Sequence, residues 1–280
     1  MSASPLVASV VRRLAAGTAL TLLAAAPAFA AQPVQMAAHR ATYDLSLADN
    51  GSSKGIETAK GRIVFEFTGS ACEGYTQNFR QVTQLGGGDI GTRISDMRSS
   101  TFEEGDGSML RFNTESRVSG GKNEASDGVA ERKDGKVSVS VKKPQPGTVS
   151  LPDAVFPTAQ IKLIIEAARE GRSTVNVKVF DGSEQARKAY ETFTVIGKQA
   201  EGGDVEEPLK AAGWDKLARW PVSVSYFEDG GDTSTPLYVI SFELLENGVS
   251  RKLKLDYGDF GLNGVLTRVD VLKSGAPCDK

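Results

Sequence analysis

Histidine is almost missing from this chain: His39 is the one imidazole in 280 residues, and only two cysteines, Cys72 and Cys278, accompany it. A structural zinc site wants four such ligands close together. One histidine and two distant cysteines do not supply them. A Ser-His-Asp or Cys-His centre would need His39 as its base, and no G-x-S-x-G elbow accompanies it. His39 sits close to the N-terminal end of the strand-rich region and reads as an exposed side chain. Basic excess is lacking too. Lys and Arg number 33 against 35 Asp and Glu, a formal net charge of −2. No basic stripe is available for nucleic acid or an anionic membrane. Beyond the N-terminus no apolar run approaches the roughly 20 residues of a spanning helix. No repeat and no coiled coil interrupts the pattern.

The chain opens with an export signal. Arg12 and Arg13 precede an apolar run, Leu14 to Ala26, which is short for a span. Ala28-Phe29-Ala30 is an A-x-A cleavage site, so residues 1–30 read as a secretory signal peptide cut after Ala30. An uncleaved anchor is the alternative. No cysteine comes after the run to take a lipid. Residues 31–280 then form one β domain with ample length for a core. In an exported chain an even cysteine count argues for a Cys72–Cys278 disulfide. Free thiols or a metal pair are the alternatives.

Alternating apolar and polar residues dominate the rest. The segments 40–47, 60–67, 74–85, 89–102, 108–118, 173–180, 188–196, 220–228, 237–245, 249–257 and 264–272 read as strands. Residues 129–141 read as a hairpin about Asp134-Gly135, and Asn247-Gly248 marks another. Gly120–Gly128 is glycine-rich and polar, and Lys142–Gly147 reads as a break leading to a helix. Gly213–Arg219 reads as one short helical turn.

The exception is TAQIKLIIEAAREG, Thr158 to Gly171. Ile161, Ile164, Ile165 and Ala168 recur at helical spacing, and Leu163 and Ala167 widen the apolar arc. Thr158 is placed to cap the first turn, Gly171 to end the last, and Lys162 and Glu166 to pair one turn apart. A helix apolar around most of its girth must be enclosed. The expected fold is mainly β: an antiparallel broken barrel of about a dozen or more strands around one central helix, about 158–170. A surface helix lying on a sheet is the alternative.

Tests for chemistry are mostly negative. Gly86–Gly91 matches G-x-G-x-x-G, but the segment after it, TRISDMRSSTF, alternates like a strand where the dinucleotide fingerprint needs a helix. Asp259-Phe260-Gly261 lacks the other kinase segments. Acid pairs at 103–104, 206–207 and 229/232 lie in loop-like sequence, and no calcium loop spacing is met. Trp214, Trp220, Tyr226, Phe227, Tyr238, Phe242, Tyr257 and Phe260 are dense for a chain with 7% aromatics. They line either a ligand cavity or a core.

Trp214-Asp215, Trp220-Pro221-Val222, Ser225-Tyr226-Phe227, Gly231-Asp232, Pro236, Glu246 to Ser250 and Leu255 to Phe260 resemble the envelope integrity protein B family, periplasmic proteins of Gram-negative alphaproteobacteria. One cysteine after the second strand and one at the C-terminal end also resemble that family. The likeness implies a β-spiral around the helix, a disulfide between the cysteines, a role in the envelope and no known catalytic activity; from the residues themselves no cofactor and no metal are expected.

Three functions are compatible with these residues. The first is a non-enzymatic periplasmic protein that binds another protein, a helical-repeat protein being one kind of partner. The second is a carrier of a lipid or lipoprotein acyl chain, for which Ile161, Ile164, Ile165, Trp214, Trp220, Tyr226 and Phe242 are the candidate cavity or core residues. The third is an unrecognised hydrolase. An unfilled apolar cavity beside Ile161, Ile164 and Ile165 favours the carrier. A filled core with a wide exposed patch favours the protein binder.

Overall fold

The period-two alternation builds strands, and their inward rows build the core. The computed structural model describes residues 33–49, 55–88, 91–231, 234–276 and 278. The expected signal peptide and its cleavage site lie outside the described residues. Among the described residues fourteen strands are formed: β1 (His39–Leu47), β2 (Thr58–Ser70), β3 (Gly74–Gly87), β4 (Gly91–Glu103), β5 (Met109–Val118), β6 (Glu124–Lys133), β7 (Lys136–Lys143), β8 (Gly147–Pro152), β9 (Thr174–Val179), β10 (Tyr190–Ile196), β11 (Arg219–Glu228), β12 (Tyr238–Leu245), β13 (Ser250–Asp256) and β14 (Gly261–Val271). Two α-helices accompany them among the described residues, α1 (Pro157–Arg169) and α2 (Glu207–Ala211).

All fourteen strands join one antiparallel sheet in the order β8-β7-β6-β5-β4-β3-β2-β1-β14-β13-β12-β11-β10-β9. The chain enters at the middle of the sheet, meanders to one edge, crosses through α1 to the other edge and meanders back. Every neighbouring pair is consecutive in sequence except β1 with β14. The sheet stays open, as a broken barrel around α1. Its two edges are joined at one point. Val155 N–H donates to Lys178 O at 2.8 Å and Phe180 N–H donates to Val155 O at 3.0 Å.

Three apolar clusters fill the interior. One joins β1, β2, β13 and β14 to Val205 and Leu209. A second packs β5 to β8 against Phe156, Phe180, Ala186 and Ala189. The third sets Ile164, Ile165, Ala167 and Ala168 of α1 on Val175, Ile196, Trp220, Val222 and Val224. Thus α1 lies on the concave side of β9–β12.

Some local expectations change. β6 starts at Glu124, inside the stretch read as glycine-rich and polar. β7 runs to Lys143 and β8 starts at Gly147, so the expected break is a tight connection between strands. The short helix is α2, with Glu207 and Pro208 in its first turn, and not the segment 213–219; Arg219 already belongs to β11. An acid and a proline suit a helix start better than Gly213 does. The hairpin about Asp134-Gly135 has both residues at positive φ, +51° and +70°, the backbone that a two-residue turn between twisted strands requires.

The cap of α1 also differs. Thr158 lies inside the helix, and its hydroxyl accepts from Gln77 Nε2 at 2.8 Å. Glu103, at the end of β4, caps in its place. Its carboxylate accepts from the backbone N–H of Thr158 at 2.7 Å and of Ala159 at 2.9 Å. Lys162 turns toward Gly105 O and lies over the Tyr75 ring. At the other end Gly171, φ +72°, turns the chain, and Gly171 and Arg172 N–H donate to Ala168 and Ala167 O.

Candidate functional site

Three rows of side chains cross the concave face of β2 to β6, and their composition decides where the interior is empty. Register aligns Phe67, Gln77, Thr101 and Phe112 in one row; Phe65, Phe79, Ser99, Thr114 and Ser126 in the next; and Ile63, Gln81, Met97, Ser116 and Glu124 in the third. In the middle row, going from β2 toward β6, aromatics give way to hydroxyls. Ser99, Thr114 and Ser126 carry little side-chain volume into that part of the interior. A cavity of about 650 Å³ remains, within the size range of small-molecule sites.

The cavity has two unlike walls. Phe65 and Phe79, Ile161 and Ile164 of α1, Val224 of β11, Ile240 and Phe242 of β12 and Leu253 and Leu255 of β13 make an apolar wall. Gln77, Gln81, Ser99, Thr101, Thr114, Ser116 and Ser126 make a hydroxyl and amide wall. Its rim reaches solvent at Met97, which is 42% exposed, and at Glu124.

A polar cluster closes the end beyond α1. Ser183 N–H donates to Asp181 Oδ1 at 2.9 Å, and Ser183 Oγ lies 3.0 Å from the Tyr190 hydroxyl. Tyr190 stands edge-on to Tyr226 and Tyr238, with ring centroids 5.9 and 6.0 Å away; those two stack at 4.4 Å. Asp181 is half-buried and lines the cavity. That burial pushes its pKa up, against the hydrogen bonds from Ser183. Burial also raises the phenols of Tyr226 and Tyr238, with Asp181 adding to both shifts.

The candidate residues separate accordingly. Ile161, Ile164, Tyr226 and Phe242 line the cavity. Ile165 and Trp220 pack in the core behind α1. Trp214 packs beside β1 and meets His39 edge-on at 6.1 Å. His39 is the clearest correction. It is 2% exposed, held by Ala37 O and enclosed by Phe65, Phe67 and Trp214, because it opens a strand in the middle of the sheet. Burial lowers its pKa. Cys72 and Cys278 form a disulfide, with Cα atoms 5.4 Å apart, and neither lines the cavity.

Asp181, Tyr190 and the Ser99–Thr114–Ser126 row carry no mark of a site in the sequence, and Glu103 stands out there only as half of a loop-like acid pair. The row emerges from period-two spacing only once the register of four strands is known. Asp181 carries the signal of an ordinary Asp-Gly turn. Glu103 meets its helix from 55 residues away.

A family profile described as EipB-like matches residues 30–273. The cell envelope integrity protein EipB of Brucella abortus (strain 2308) is 38% identical over 252 residues, covering 90% of each chain. A crystal structure of a beta-barrel-like protein of domain of unknown function DUF1849, also from Brucella abortus, superposes with a TM-score of 0.79 at 37% identity, covering 86% of this chain and 100% of that one. With the spiral sheet, the enclosed helix and this match along nearly the whole sequence, the chain belongs to the EipB-like family.

Proposed function

We propose that this chain maintains cell-envelope integrity by holding the acyl chain of a lipid or lipoprotein in the cavity between α1 and the concave sheet, without catalysis. In this reading residues 1–30 direct export and are removed, and 31–280 work as one domain in the periplasm. The observation that carries it is the unfilled volume of about 650 Å³ against Ile161 and Ile164. At roughly 30 Å³ per water molecule, that space would hold about 20 waters against a largely apolar wall. An acyl chain would release them and bury the exposed apolar groups. The relative named for envelope integrity supports the setting.

The test is native mass spectrometry with lipid extraction on protein purified gently from the envelope fraction, compared with Ser99→Phe. That substitution sets a ring into the cavity beside Phe79, the cross-strand partner of Ser99. A reproducible acyl mass on the parent, absent from a folded Ser99→Phe protein, supports the reading. Clean ligand-free mass from both, with no uptake of added lipid, sinks it.

The second reading is a protein binder. Among the described residues β8 pairs only with β7, which leaves one strand edge for an added strand. Crosslinks confined to 147–152 would favour it.

A further inference from the structure

The charges along the cavity are not balanced. Arg98 and Glu115 belong to the lining, but they alternate out of the inward rows and pair on the convex face, Arg98 with Asp96 at 2.9 Å and Glu115 with Arg117 at 3.0 Å. Asp256 accepts from Gly258 N–H. His39 is buried and held toward its neutral form. Among the described residues, the acids of the lining that no salt bridge compensates are then Glu124 at the rim, Asp256, and Asp181 at the far end. The nearest cations along the chain make other contacts: Lys178 with Asp229 at 2.8 Å and Glu191 at 3.0 Å, Arg187 with Gln145 O at 3.4 Å, and Lys188 with Glu228. Asp181 thus has hydrogen bonds from Ser183 and three phenols close by, but no cation pairs with it among the described residues. An enclosed carboxyl without a counter-charge is costly, and a ligand that brings the counter-charge is favoured.

We infer that the cavity selects amphiphiles by headgroup charge: it takes those whose polar group carries an ammonium, seated against Asp181 and the tyrosines Tyr190, Tyr226 and Tyr238, and it disfavours anionic ones. The inference rests on the acyl-chain reading above. Tyrosine rings add attraction for an ammonium through their faces. The hydroxyl row of Ser99, Thr114 and Ser126 accepts and donates hydrogen bonds without adding charge. A fatty acid or anionic headgroup would set like charges together in an enclosed space, where screening by salt is weak.

Three probes with one tail separate headgroup from chain: dodecyltrimethylammonium, dodecyl maltoside and dodecanoate, titrated below micelle formation into the full-length exported protein by calorimetry. The protein's acidic surface binds cations unspecifically, so Ser99→Phe, with its cavity filled, supplies the background. The expected result is that the ammonium probe binds about tenfold more tightly than dodecanoate after that correction. In Asp181→Asn, whose amide oxygen still accepts from Ser183, the gap closes to about threefold or less. Equal or tighter dodecanoate binding, or a gap that persists in Asp181→Asn, overturns the inference and leaves the acyl-chain reading intact. Failure of all three probes to bind overturns that reading and this inference with it. Should Asp181→Asn not fold, the ranking of the three probes on the parent protein decides.

Discussion

Removing the carboxylate of Glu103 should loosen the helix on which the cavity is built. Glu103 is 1% exposed, and its two oxygens take the first free N–H groups of α1 at 2.7 and 2.9 Å. Glu103→Ala leaves two enclosed donors without a partner, each costing about 1–3 kcal/mol. It also removes the anion from the positive end of the helix, worth up to about 2 kcal/mol when partly buried. The enclosed charge itself is costly, which offsets part of this loss. The net expectation is about 4 kcal/mol, a fall in Tm on the order of 10 °C for a chain of this size. Glu103→Gln keeps one acceptor and should cost about half as much. Urea and thermal unfolding of the three proteins at pH 7 measure this. Midpoints within about 0.5 kcal/mol of the parent in both variants would falsify the capping role. The pH dependence tests the balance of causes. Burial raises the Glu103 pKa, outweighing the hydrogen bonds and Lys162. The protonation-linked part of its contribution is therefore fullest below the ordinary value of 4.5 and is lost as pH rises through the folded value, leaving the capping part. The stability gap between parent and Glu103→Gln should widen as pH falls from 7 toward 5. A gap that narrows over that range would show that burial does not dominate.

Three further outcomes are expected. Opening the disulfide with Cys72→Ser/Cys278→Ser frees a loop spanning 206 residues, and the chain-entropy argument gives a loss of about 5 kcal/mol; an unchanged urea midpoint refutes it. His39 should contribute stability that is present above its ordinary value of 6.5 and lost as pH falls through its lowered folded value. Replacing it with leucine should therefore flatten the fall in Tm between pH 7 and 5.5, and an unchanged slope rules His39 out. Gly182 sits at φ +80°, where an added Cβ would lie 2.5 Å from the Phe112 ring. Gly182→Ala should cost about 2 kcal/mol or more in chemical denaturation, and a neutral effect would mean that the Asp181 turn is softer than its packing suggests.

The sheet and its helix are legible in the sequence because they obey single-segment rules. TYDLSL and VNVKVF alternate, and IKLIIEAA repeats at helical spacing, whatever lies beside them. The start of β6 escapes such rules for a reason tied to the cavity. Its inward residues there are Glu124, Ser126 and Gly128, so polar side chains lie on both faces and the contrast that marks a half-buried strand disappears. The strand that borders empty space therefore reads as loop. β8 is hidden by Pro144 and Gly147, which punctuate any sequence. His39 reads as exposed because it lies near the N-terminal side, yet β1 is central and covered by Phe65, Phe67 and Trp214. The Glu103 cap and the Asp181 cluster depend on pairs far apart in sequence, and no local pattern encodes them.

The place of β1 in the sheet has a consequence for the time course of folding. Twelve of the thirteen strand pairs join strands consecutive in sequence, so both arms of the meander grow through short-range contacts as the chain emerges. The exception is the seam, where His39 meets Val271 and Leu47 meets Leu262. The first strand must wait with one edge unpaired until the last strand is available, which exposes β1 to wrong pairing. Closure of that seam is then the slow, late step, and a chain truncated before Gly261 should accumulate as two formed arms without a joined sheet.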